Sequence, residues 1–64
     1  MDRWSFYMGL SNDIRRLAGD EVYDKIGQEV MDTLLTRCSE HFEVVRYPDD
    51  EEILEAINEL TAQN

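Results

Sequence analysis

The middle of the chain carries apolar residues at every fourth position: Val22, Ile26, Val30, Leu34 and Cys38. This spacing is close to the repeat of a helix and predicts one long helix over residues 20–40. Further apolar residues follow one position later, which widens the apolar arc to about 220°. One side of a small core needs less than this, so the arc favours contact with a second copy or a larger assembly. The alternative is a monomer in which a two-stranded ribbon and the last helix cover the arc from opposite sides.

The N-terminal residues alternate between apolar and polar side chains, with Trp4, Phe6 and Met8 on one side of an extended segment. Alternation with several aromatic residues is typical of a strand, and it predicts a strand over residues 3–8. A short helix over residues 12–17 is then expected to follow.

A single helix over residues 2–18 is the alternative for this region. Apolar residues at spacings of three and four support it: Trp4, Tyr7, Leu10, Ile14 and Leu17. Such a helix would hold Gly9 in its middle, followed by three residues that favour helix starts, Ser11, Asn12 and Asp13. Gly19 suits the end of a helix in either interpretation.

The last third of the chain predicts a strand and then a helix. Residues 42–47 carry apolar side chains on both faces of an extended segment. Asp49 is placed to cap the helix that follows, and Glu52 to bond back to its start, as in a capping box. The inward face of this helix is Ile53, Leu54, Ala56, Ile57 and Leu60.

Together these elements predict an α+β fold in one domain, residues 1–64, with the order β-α-α-β-α. A two-stranded ribbon would pack on the long central helix. If the N-terminal segment is a helix, the fold is all-α instead. A chain of 64 residues can bury only a small core, which favours stabilisation by a second copy, and we expect a homodimer.

Charge and cysteine content exclude several classes of function. Fifteen acidic residues against six basic ones give a net charge of -9, whereas nucleic-acid binding needs clustered lysine and arginine. The same charge repels anionic membrane surfaces, and no run approaches the ~20 apolar residues of a membrane span. Cys38 is the only cysteine, so no intrachain disulfide is possible. With no secretion signal at the start, the sequence predicts a cytoplasmic protein.

Residues with catalytic or metal-binding chemistry are few. Cys38 and His41 lie three positions apart, but a structural zinc site needs four ligands and the chain has one cysteine and one histidine. A nucleophilic cysteine would also need an oriented base in an accessible cleft. We therefore predict a protein that is not an enzyme and has no catalytic residues, no metal and no cofactor.

The last helix carries the main candidate binding surface. Glu51, Glu55 and Glu59 lie four positions apart and form an acidic ridge opposite the apolar face. The full predicted partner-binding set is Glu51, Glu52, Glu55, Glu59, Asp50 and Glu43. It predicts an inhibitor or regulatory adaptor for a larger basic partner that handles nucleic acid; a phage-type inhibitor such as an anti-CRISPR or anti-restriction protein would fit. The alternative is a solvated face that keeps the protein soluble.

A second candidate interface lies near the N-terminus and consists of Trp4, Tyr7, Arg15 and Arg16. Aromatic residues and arginine are favoured anchors in protein interfaces. In the alternative, Trp4 is the largest residue of the core and the arginines are solvated. The second functional hypothesis is an accessory or structural subunit that associates through the wide apolar face of the central helix.

Overall fold

Three helices and one short hairpin make up the computed structural model, which describes residues 1–62. Helix α1 spans Arg3–Ala18, helix α2 spans Asp20–Arg37 and helix α3 spans Asp50–Ala62. Between α2 and α3, strand β1 (Ser39–Glu40) pairs antiparallel with strand β2 (Glu43–Val44). No helix within these 62 residues is both long enough and apolar enough to cross a membrane.

The α+β order is wrong at its first element, because residues 3–8 form the first turns of α1 and not a strand. Phe6, Leu10 and Ile14 recur at the helical spacing of four and are fully buried, whereas Trp4 is 73% exposed. In a strand Trp4 and Phe6 would share a face, but two residues along a helix turn the side chain by about 200°. Trp4 is therefore not the largest residue of the core.

The residues that disfavoured a long N-terminal helix make contacts between elements. Gly9 lies against the ring of Tyr47. A Cβ atom added at residue 9 would lie 3.0 Å from the hydroxyl oxygen of Tyr47. The Ser11 hydroxyl lies 3.0 Å from the Tyr23 hydroxyl on α2, and the Asp13 carboxylate accepts a hydrogen bond from the hydroxyl of Tyr47. Tertiary contacts thus outweigh the local preference of these residues for a helix start.

Gly19 is the single residue that connects α1 to α2. Its φ of 91° and ψ of 166° fall in a region that is essentially restricted to glycine. Its N–H donates a hydrogen bond to the carbonyl of Arg15 at 2.9 Å. The predicted helix end near Gly19 is confirmed, while the separate helix over residues 12–17 is wrong and is the C-terminal part of α1.

The wide apolar arc of α2 is covered from both sides, because α1 and α3 each pack against this helix. Its buried positions are Gly27, Val30, Met31 and Leu34. Val22, Tyr23, Ile26 and Leu35 are partly buried against the same core. The large hydrophobic residues that are exposed in the described part of the chain lie outside α2. The buried positions of α2 therefore pack within the chain, while the partly buried ones keep some exposed surface.

The hairpin replaces both the end of the predicted central helix and most of the predicted second strand. Helix α2 ends at Arg37, before the predicted boundary at residue 40, and only Glu43–Val44 of residues 42–47 is a strand. Its partner is the adjacent segment Ser39–Glu40 and not the N-terminus. A local hairpin thus takes the place of the long-range ribbon.

Helix α3 begins as the capping residues predict. Asp49 Oδ1 accepts a hydrogen bond from the N–H of Glu52 at 2.9 Å, but the Glu52 side chain turns to Arg46 and does not complete a capping box. Ile53, Ala56 and Ile57 are buried, and Leu60 packs at the edge of the core. Leu54 is 38% exposed, so it does not belong to the inward face.

Candidate binding surfaces

The outer face of α3 consists of Glu51, Leu54, Glu55 and Asn58, all of which are exposed. These positions lie opposite the buried residues of the helix because of its 3.6-residue repeat. The side chains of Glu51 and Glu55 form no ion pair or hydrogen bond with other residues in the range 1–62. The face therefore presents two unpaired carboxylates one helical turn apart, beside a partly exposed leucine.

The other predicted acidic residues of this helix are paired with arginines from other elements. Glu52 receives two hydrogen bonds from the Arg46 guanidinium, at 2.6 and 3.0 Å. This contact lowers the pKa of Glu52, because a fork of charged donors favours the ionised carboxylate. Arg37 Nη2 lies 2.7 Å from Glu59 Oε2.

Asp50 is also paired, since its Oδ1 lies 2.8 Å from Arg16 Nη2 on α1. The Asp50 and Asp13 carboxylates together raise the pKa of the Arg16 guanidinium. The six predicted partner-binding residues therefore do not form one continuous acidic surface. Glu59, the last member of the ridge, is paired with Arg37, and Glu43 belongs to the hairpin and not to the helix.

The second candidate interface is largely used within the chain. Tyr7 donates a hydrogen bond to Asp32 on α2 at 2.8 Å. The Arg15 guanidinium lies 4.0 Å from the centroid of the Tyr23 ring, a cation–π contact. Trp4 keeps most of its surface exposed, and Met8 follows it one turn later at 50% exposure.

The tip of the hairpin is a surface that sequence reasoning missed. We use "hairpin tip" for His41 and Phe42, the two residues between the strands, which have φ values of 50° and 68°. Positive φ at both central residues is the pattern of a type I′ turn, in which asparagine and glycine are preferred. The Phe42 side chain is 89% exposed, and the described structure gives its ring no aromatic partner.

The backbone at the hairpin tip is strained. The left-handed region costs an L-residue with a Cβ roughly 1–2 kcal/mol; histidine is found there more often than most residues, but a bulky side chain such as that of Phe42 is an outlier. On either side of the tip, Glu40 and Glu43 stand directly opposite each other, and like charges at such positions destabilise a pair of strands. Positions 41 and 42 hold histidine and phenylalanine and not the asparagine or glycine that marks this turn in a sequence. The turn could therefore not be predicted from the sequence pattern.

The base of the hairpin is fixed to the core although its tip is exposed. Cys38 is fully buried and Val44 is nearly so. The Val45 N–H donates to the carbonyl of Cys38 at 2.9 Å, and the N-terminal amine of Met1 donates to the carbonyl of Val44 at 3.4 Å. A shallow depression of about 410 Å³ lies beside the tip and is lined by Met1, Asp2, Arg3, Phe42, Glu43 and Val44.

The residues considered for chemistry are separated in the structure. Cys38 is buried at the end of α2, and burial raises the pKa of its thiol, which disfavours the reactive thiolate. His41 is exposed in the turn. Within the described residues, no cluster of three or more histidine, cysteine, aspartate or glutamate side chains is arranged to hold a metal ion.

Comparison of the chain with protein-family models, with curated proteins and with solved structures finds no match.

Proposed function

We propose that the protein is a non-catalytic binding module of the cytoplasm, an inhibitor or regulatory adaptor that presents the outer face of α3 to a larger basic protein. The observation that carries the proposal is the division of carboxylates on this helix. Those on its flanks pair with arginines from other elements, whereas Glu51 and Glu55 on the outer face have no partner in residues 1–62.

Helix stability alone does not account for this division. Glu51 lies in the first turn of α3 and gains from the positive end of the helix dipole. Glu55 lies one turn later, between Glu51 and Glu59, and like charges at this spacing destabilise a helix by a few tenths of a kcal/mol. Lysine and arginine in a surface groove of a partner would attract these carboxylates and offset their mutual repulsion. Grooves of that kind are typical of proteins that bind nucleic acid.

The charge of the whole molecule supports a basic partner. The net charge is -9, and Arg15, Arg16, Arg37 and Arg46 are already paired with acidic side chains. The long-range field is therefore negative and steers the protein toward a basic surface at a rate that falls with salt.

Charge neutralisation on the outer face tests the proposal. The tagged chain captures its partner from a lysate of the organism that encodes it, and calorimetry of the purified pair gives the dissociation constant. Glu51→Gln with Glu55→Gln is expected to weaken binding about tenfold, because both substitutions remove charges that face the partner. The wild-type constant is also expected to rise steeply between about 50 and about 300 mM salt.

A matched pair of substitutions distinguishes an effect of the outer face of α3 on binding from an effect of the net charge. Glu21→Gln with Glu29→Gln changes the net charge equally, and Glu21 is the second residue of α2 as Glu51 is of α3. This control should leave binding within about twofold of wild type. An equal loss of affinity in both double variants, or no loss in the Glu51→Gln/Glu55→Gln chain, would contradict a binding role for the outer face of α3.

A further inference from the structure

The hairpin tip departs from the preferences of its own turn, and within residues 1–62 neither of its side chains forms a hydrogen bond, ion pair or aromatic contact that would offset the departure. Asparagine and glycine would adopt the positive φ values of residues 41 and 42 with little strain. The chain instead holds histidine and phenylalanine there, and Phe42 is the most exposed of the large hydrophobic residues in the described range, at 89%. In the part of the chain that the structure describes, the Phe42 ring therefore makes no contact that compensates for the backbone strain or for the cost of exposing an apolar ring to water.

We propose that Phe42 is an anchor residue, whose ring inserts into an apolar pocket of a partner protein, with lysine or arginine at the edge of that pocket. Local choices that oppose stability are expected where a protein carries function. An exposed aromatic ring at the centre of an interface is a common source of binding energy. The proposed function contributes the basic character of the partner, and the inference rests on it to that extent.

The hairpin holds the backbone of its tip in a defined position before binding. Its base is buried through Cys38 and Val44, and the Ser39 hydroxyl donates to the carbonyl of Leu35 at 2.6 Å. Just after β2, the Arg46 guanidinium forms its two-bond contact with Glu52 on α3. A side chain presented on a fixed backbone loses less conformational entropy when it binds, which favours an anchor at this position.

The charges beside the ring define the kind of partner. Glu40 and Glu43 flank the tip, are exposed and form no ion pair in the described structure. Arg3 lines the neighbouring depression but pairs with neither of them. When Phe42 enters a pocket, both carboxylates come against its edge, so lysine or arginine there matches them and acidic residues are rejected.

A second copy of this chain does not meet that requirement. Each copy carries a net charge of -9, and association through the tips would bring two Glu40–Glu43 pairs together. An anionic membrane surface is disfavoured for the same reason. A basic partner protein is the occupant that the charges select.

Photocrosslinking at the tip tests the inference directly. Benzoyl-phenylalanine replaces Phe42 and, in a control chain, replaces Met8, which is an exposed apolar residue on α1. After irradiation in a lysate of the source organism, position 42 is expected to give an adduct with one protein that position 8 does not give. Mass spectrometry should place that adduct in an apolar site bordered by lysine or arginine. Absence of an adduct, or adducts only with lipid or with the chain itself, would overturn the proposal.

Two substitutions in the turn then separate binding from stability. Phe42→Gly relieves strain and removes the ring, so the unfolding midpoint should rise by about 4 °C while affinity for the crosslinked protein falls about thirtyfold. His41→Asn also relieves strain but keeps the ring, so its midpoint should rise while its affinity stays within twofold of wild type. Unchanged affinity in the Phe42→Gly chain refutes the anchor.

The same calorimetric measurements of affinity distinguish a failure of this inference from a failure of the proposed function. Loss of affinity in the Glu51→Gln/Glu55→Gln chain with full affinity in the Phe42→Gly chain would leave the α3 surface standing and remove the anchor. The reverse result would keep the anchor and remove the α3 surface.

Discussion

Two turns in this molecule place residues at positive φ, and they are filled in opposite ways. The link between α1 and α2 uses Gly19 at a φ of 91°, and the hairpin uses His41 at 50° and Phe42 at 68°. Glycine enters this region without the clash that a Cβ produces, so the helix link is free of strain. The hairpin instead has residues with a Cβ at two successive positions of positive φ.

Charges beside the two turns differ in the same way. Across the helix link, Arg15 Nε lies 3.6 Å from Asp20 Oδ1, and the charges attract. Across the hairpin, Glu40 faces Glu43, and the charges repel. The comparison teaches that backbone strain and charge repulsion coincide at one place in the fold, which is where we place the contact with a partner.

Substitution of the helix link should have the largest effect on stability. Gly19→Ala puts a Cβ on a residue whose φ and ψ are essentially restricted to glycine, and we expect a loss of about 1–3 kcal/mol in the free energy of unfolding. Urea denaturation measures the change. Asn12→Ala, at an exposed position in the middle of α1, is the control and should change stability by less than about 0.5 kcal/mol. If both variants behave alike, the backbone at Gly19 is not a constraint.

Substitution of both hairpin residues should have a smaller effect of opposite sign. In a chain with His41→Asn and Phe42→Gly we expect a gain of about 1–2 kcal/mol, since the relief of strain at two residues exceeds the added entropy of glycine in the unfolded chain. Differential scanning calorimetry and urea denaturation should agree on the sign. A loss of stability would mean that the hairpin tip contributes to the fold, and the contrast between the two turns would disappear.

The helices were predictable to the extent that their apolar residues repeat. The spacing of four over residues 22–38 identifies α2, and Asp49 marks the start of α3. Helix α1 was only the alternative to a predicted strand and short helix, because a few aromatic residues alternate at its start and because Gly9 and Asp13 are unfavourable inside a helix. Contacts with Tyr47, which lies far along the chain, help to accommodate both residues there, and Asp13 also pairs with Arg16 within α1.

The candidate sites were less predictable than the fold. Sequence spacing places Glu51, Glu55 and Glu59 on one side of α3, but it does not reveal that Arg37 from α2 pairs with Glu59. Long-range ion pairs depend on how the helices pack, and no local pattern encodes them. Phe42 escaped notice because a strand predicted over residues 42–47 would have partly buried it.

The smallest predicted effect concerns the two-bond contact between Arg46 and Glu52, which holds the end of the hairpin to α3. The pKa of Glu52 is lowered below its ordinary value of 4.5, so its stabilising effect is present above that pH and is lost as the pH falls through the lowered pKa. Glu52→Gln should therefore lower the unfolding midpoint by a few degrees at neutral pH, and this difference should shrink as the pH falls through the lowered pKa of Glu52. Thermal unfolding by circular dichroism at several pH values measures both. Glu55→Gln removes an unpaired carboxylate from the same helix and should not lower the midpoint at neutral pH. A Glu52→Gln difference that persists unchanged in acid would show that the contact between Arg46 and Glu52 does not depend on the charge of Glu52.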